Sequence, residues 1–257
     1  MPSLDLYLDG TAEYTGSTEL PVMDRGAMAM QINEGRTKLV TLPDPPATES
    51  VTSRRVEASF TSDGSAQIDF RAEVTGASAS AWRHRYHSDS SRNQRVSEDL
   101  ATEFPALEVA SVEAGNLEDV EQKVAIRVKG RAPQLARKSG DQLSVPAGPP
   151  EHMVRDYAVL GTRKRDIRLD AANTTVSEWV VKVPAGSKVT GLPQGGGGTS
   201  NFGTYKVDVE ASASEVRVKT SIALTKTRIR AAEYGEFKTF CEAIDKVLGA
   251  RVAVKIQ

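Results

Sequence analysis

The chain has 257 residues, long for one hydrophobic core and comfortable for two, since single cores stop growing near roughly 250–300 residues. With 33 Lys and Arg against 34 Asp and Glu the formal charge is −1, so no overall field favours nucleic acid or an anionic membrane. No apolar run approaches the ~20 residues of a membrane span, no secretory signal pattern opens the chain, and the lone Cys241 excludes an intrachain disulfide.

Leu4, Leu6 and Leu8 alternate with Asp5, Tyr7 and Asp9, which predicts a half-buried strand closed by the turn residues Asp9-Gly10-Thr11. Residues 12–37 show no clear period. Residues 38–42 form a short predicted strand, and Pro43, Pro45 and Pro46 mark a boundary. Val56, Ala58 and Phe60, then Ala66, Ile68, Phe70, Ala72 and Val74, alternate on two strands around Ser62-Asp63-Gly64, a predicted β-hairpin. Trp82 to His87 continues in strand-like alternation. Ser91 with Gln94 reads as a capping box opening a helix that Pro105 ends.

Val124, Ile126 and Val128 predict another strand, and the proline- and glycine-rich residues 132–152 read as an interdomain linker. Beyond it, Trp179 to Val183 and the alternating runs at 205–209 and 216–224 are strands, and Gly195 to Gly198 is expected to be a mobile loop. Tyr234, Phe237, Phe240, Cys241, Ile244 and Leu248 fall on one helical face ended by Gly249, and 252–256 form a last strand. The expected fold is mainly β: two antiparallel β-sandwich-like domains, each with one amphipathic helix, at 91–104 and 231–248. The domains are expected at 46–145 and 146–257, behind a segment 1–45.

Few residues stand out chemically. On a strand, His84 and His87 would face opposite ways and could not share a metal. His152 belongs to the linker. Cys241 lies inside a helix on its apolar face, which suits a structural thiol better than a nucleophile. The glycine run lacks the Lys-Ser/Thr of a phosphate-cradling loop. Arg163, Lys164, Arg165 and Arg168 have no interleaved aromatics and read as a solvated face rather than a nucleic-acid site. Asp9, at a predicted strand end beside a turn, is the acid with the best claim to chemistry, although Asp before Gly is ordinary turn usage.

Taken together, YLDGTAEYTGSTELP (7–21), MDRGAMAMQINEGRTKLVTLP (23–43) and EYGEFKTFCEAIDKVLGARVAV (233–254) resemble the carboxyl-terminal part of large bacterial transglutaminase-like proteins. The Asp63-Gly64 hairpin, Leu192-Pro193 with Phe202-Gly203, and Tyr234 with Phe237 extend the resemblance over most of the chain. It implies a papain-like core with a Cys-His-Asp triad followed by β-rich domains of unknown function. In that pattern the aspartate of the YLDGT-like strand is the last triad member, so only Asp9 carries over. No cysteine or histidine precedes it in this chain. Residues 1–45 would then be the terminal strand and tail of such a core.

The resemblance implies a non-catalytic accessory or interaction module in an extracytoplasmic, envelope-associated setting. It implies no cofactor and no metal, and its partners would be an upstream core, another protein chain, or a second copy met at a strand edge. Two rivals are an independent envelope module that binds polysaccharide or protein, and a half-enzyme in which Asp9 completes a triad supplied by another chain. A polysaccharide binder wants exposed aromatics, and only 14 residues are Phe, Tyr or Trp.

Overall fold

The computed structural model describes residues 7–33, 35–149, 152–249 and 251–256. In chain order the strands and helices are β1 (Met28–Asn33), β2 (Arg36–Thr41), β3 (Val51–Phe60), β4 (Ala66–Val74), α1 (Ala79–Tyr86), α2 (Asp89–Leu100), β5 (Glu108–Gly115), β6 (Val124–Ala132), β7 (Arg137–Ser139), β8 (Gln142–Pro146) and α3 (Met153–Tyr157). They continue with β9 (Ile167–Arg168), β10 (Asn173–Lys182), β11 (Lys188–Gly191), β12 (Gly196–Ser200), β13 (Gly203–Ala211), β14 (Glu215–Leu224), β15 (Arg228–Ile229), α4 (Tyr234–Leu248) and β16 (Arg251–Lys255). The architecture is mainly β, as the alternation predicts.

The β3–β4 hairpin forms where Asp63-Gly64 puts it. The Asp63 carboxylate accepts from the Ser65 backbone N–H at 2.9 Å and the Thr61 hydroxyl at 2.6 Å, and Gly64 takes a φ of +89°. These bonds, Thr61 first, hold the Asp63 carboxyl down at about 2. The hairpin lies within an eight-stranded sheet of order β12-β13-β14-β10-β3-β4-β6-β5. Every pairing in it is antiparallel except β10 with β3, which is parallel and joins the two β-rich halves into one sheet. Register carries one row of side chains across that join: Val209, Val218, Trp179, Val56, Phe70, Val128 and Val112. The opposite face is charged and laced with ion pairs such as Arg127–Asp69, Arg55–Glu178 and Lys182–Glu57.

A second sheet, β11-β16-β8-β7, adds Leu143, Val145, Val252 and Val254 to the same apolar core. α4 buries the face predicted for it, and Phe237 meets Phe202 edge-on at 5.2 Å. Asp245 on the helix accepts from the backbone N–H groups of Met153 and Val154, capping α3.

Several expectations are corrected. Residues 82–86 are helical and His87 is the C-cap, because Ala79, Arg83 and Tyr86 are the buried positions and that spacing is helical; the alternation of aromatic and basic residues only imitates a strand. The second helix begins at Asp89 with Ser88 as its N-cap, so Ser91 lies within it and Phe104 lies beyond its end. The supposed linker 132–152 contains β7 and β8, turned by Gly140 at a φ of +60°, and β8 pairs with β16. Gly195–Gly198 is not a loop, since 196–198 belong to edge strand β12. Close approach of backbone favours glycine there: a Cβ on Gly197 would stand 2.9 Å from the Tyr205 carbonyl oxygen. Leu4 and Leu6 lie outside the described residues, and 7–9 form no strand.

Candidate interaction surface

The hairpin β1–β2 runs from residue 28, inside the stretch without clear period, to Thr41, so that β2 takes in most of the strand expected at 38–42. In its register Met28 opposes Thr41, Met30 opposes Leu39 and Ile32 opposes Thr37. One face therefore carries Met28, Met30, Ile32 and Leu39, which are 64–75% exposed. Among the described residues ten large apolar side chains are exposed, and six of them fall within residues 8–39. A two-stranded hairpin is marginal in water by itself, and clustered exposed apolar side chains make this face a candidate interaction surface. The sequence signal was present in Met28-Ala29-Met30-Gln31-Ile32, alternation followed shortly by Gly35, but its polar interruptions hid it.

The segment leading into the hairpin is firmly tied down. Arg83 of α1, only 1% exposed, donates from its guanidinium to the carbonyls of Tyr14, Asn116, Asp119 and Gln122. The Ser17 N–H donates to Glu121 at 2.8 Å. Arg25 is also buried and donates to the Leu20 carbonyl at 2.8 Å and to Ser50 Oγ at 3.2 Å, while its own carbonyl accepts from Arg168. Leu42 N–H to Ala27 O closes the hairpin base at 2.8 Å, and Asp44 behind it accepts from Thr227 at 2.7 Å. The apolar hairpin thus projects from a fixed base.

Asp9 stands partly exposed at the start of this arm. Its Oδ1 accepts from the Thr11 hydroxyl at 2.7 Å and the Thr11 backbone N–H at 2.8 Å, which holds its carboxyl below the usual range. Among the described residues no histidine or cysteine bonds to it. His84 and His87, three apart on α1, share a face with ring centroids 6.2 Å apart, and Tyr14 packs 5.9 Å from His87. The strand argument that separated them does not hold, yet no group of three potential metal-ligating side chains occurs among the described residues. His152 is the exposed N-cap of α3. Arg163 lies over the Tyr234 ring at 5.8 Å, and Arg168 is spent on the Arg25 carbonyl, so the basic cluster is divided.

Cys241 is fully buried, and burial pushes its thiol up to about 12. Native protein is expected to resist a bulky aromatic disulfide reagent over a period in which urea-unfolded protein labels completely. Rapid stoichiometric labelling of folded protein would show the packing to be wrong.

A broad groove of about 520 Å³ lies on the charged sheet face and is lined by Glu57, Asp69, Glu108, Lys129 and Arg131 among others. No aromatic side chain lines it. No helix is long and apolar enough to cross a membrane among the described residues.

Residues 150–254 match a family described as a Domain of Unknown Function with solved-structure structure (DUF3858). Comparison with curated proteins finds no match. Among solved structures the chain is similar to a crystal structure of a "putative protease" from Parabacteroides distasonis, with 14% identity and a TM-score of 0.36. The likeness covers 46% of this chain and 24% of that one, so the chain spans about a quarter of that protein.

Proposed function

We propose that this chain is a non-catalytic interaction module whose amino-terminal arm docks, through the apolar face of β1–β2, on a neighbouring protein domain. The observation that carries the reading is the exposure of Met28, Met30, Ile32 and Leu39 on one face of a hairpin with an anchored base. The segment with this face is also the one whose sequence resembles the end of a transglutaminase-like core, so such a core is the partner favoured here, in an extracytoplasmic setting. Asp9, ionised and fixed by Thr11, would be the carboxylate that the arm presents to a histidine of that core. The polysaccharide alternative has less support, because the broad groove offers no ring on which a sugar could stack.

The test compares amide exchange over 28–41 in this chain and in a polypeptide extended by the reading frame upstream of Met1. Docking slows exchange there at least about tenfold on extension, as expected for a marginal hairpin that becomes buried. The double variant Met30→Lys/Ile32→Lys is expected to abolish that protection while leaving the unfolding midpoint of the unextended chain unchanged. Equal exchange in both polypeptides would overturn the reading. So would protection that appears only with rising concentration of the unextended chain, which would mean pairing between copies. An upstream frame without a cysteine and a histidine in papain-like order would remove the transglutaminase-like partner.

A further inference from the structure

A second cavity, about 440 Å³, lies where the 102–105 connection, the β7–β8 hairpin, the end of α4 and β16 come together. That volume falls in the range of small-molecule sites. Leu135, Pro146 and Leu248 supply apolar walls, while Arg137, Arg251 and His152 line it with donors. Among the described residues the lining has more cationic than anionic side chains. Arg251 spends Nε and one Nη on Ser144, and among the described residues neither its Nη1 nor the Arg137 side chain has an ion-pair or hydrogen-bond partner. The two arginines feel each other: burial first, then the Arg137 charge, lowers the pKa of Arg251. Glu103, the acid among the described lining residues, is paired with Arg54 through Oε2.

Trp179 also lines this cavity. Its side chain is 1% exposed, and its indole N–H has no acceptor among the described residues. A buried donor without a partner costs about 1–3 kcal/mol, so it needs a reason. A guanidinium pair that no carboxylate bonds among the described residues, next to a buried indole donor and apolar walls, complements an anion with an apolar body. We propose that this cavity binds a small organic carboxylate, its head held by Arg137 and Arg251 and its body lying along Leu135, Pro146 and Leu248.

The probe is hexanoate, with uncharged hexanamide as its control and chloride held constant. The readout is the indole N–H resonance of Trp179 in ¹⁵N-labelled protein, told apart from the other tryptophan by Trp82→Phe. Hexanoate is expected to shift that resonance saturably, and hexanamide to bind at least about tenfold more weakly, since a charge-assisted contact is lost. Arg137→Gln should weaken hexanoate by a similar factor. Because Arg137 holds no other group among the described residues, this variant is expected to remove charge without a change in unfolding midpoint, whereas Arg251→Gln also releases Ser144; the midpoint of each variant is measured alongside. No shift by ~20 mM, a concentration at which even a weak fragment-sized ligand registers, would overturn the proposal. An equal response to hexanamide, or undiminished binding by Arg137→Gln, would do the same.

Discussion

Arg83→Leu is expected to lower the unfolding free energy by about 3 kcal/mol and to loosen the amino-terminal arm from the body of the protein. The guanidinium is buried and serves four carbonyls that belong to two separate segments: Tyr14 of the arm, and Asn116, Asp119 and Gln122 of the β5–β6 connection. Leucine replaces the volume but none of the donors, so carbonyls now oriented on one cation lose their partner together. Hydrogen bonds to a charged group contribute about 1.5–3 kcal/mol each, and bonds sharing one donor group do not add fully, which sets the estimate. Urea unfolding gives the stability change, and limited proteolysis across residues 10–20 gives the release of the arm. Arg83→Lys should recover only part of the loss, because an ammonium is a point charge and cannot spread over four acceptors as a planar fork does. A loss below about 1 kcal/mol, or an arm no more easily cleaved, would mean that Ser17–Glu121 and Arg25 hold the segment without Arg83.

What the sequence made legible follows from how local each cause is. The β3–β4 hairpin was readable because period-two burial and Asp63-Gly64 are encoded within twenty-odd consecutive residues. The face of α4 was readable because Phe237, Cys241, Ile244 and Leu248 repeat the helical period without interruption. α1 departs from its expected strand for the converse reason: its buried residue at the middle position is an arginine, whereas alternation groups Trp82, His84 and Tyr86 on one face. Arg83 is buried by carbonyls from distant loops, and no local pattern announces that. The glycine run suggests a flexible loop because glycine is permissive in isolation, whereas here it admits a neighbouring backbone and the Tyr205 ring. Asp9 was legible only as turn chemistry, and the structure gives it that with Thr11. The exposed hairpin face and the Arg137–Arg251 cavity depend on what is missing around a side chain, which a one-dimensional pattern does not record.

The parallel join between β3 and β10 is the least local feature of all, since residues more than 120 positions apart pair there, and Trp179 sits at its centre. Trp179→Ala is expected to cost about 3–5 kcal/mol, the range for removing a fully buried large aromatic. The indole fills the row between Val218 and Val56, and it stacks on Phe104 with ring centroids 5.8 Å apart. Its loss opens a cavity bounded by both halves, and neither half can collapse into it without breaking register along nine paired positions of β3 and β10. The effect should therefore be shared. Trp82 fluorescence reports on the first half and amide exchange over 216–222 on the second, and both are expected to lose the same free energy in one transition. Trp179→Phe keeps an aromatic surface against Phe104 and should recover most of it. Two separate transitions, with the Trp82 probe keeping its wild-type midpoint, would instead establish two domains that fold independently and meet only at an edge. In that case the boundary expected near residue 146 would be thermodynamic as well as compositional. One common shift makes the eight-stranded sheet the cooperative unit, and the hairpin and the cavity become features of a single folded body.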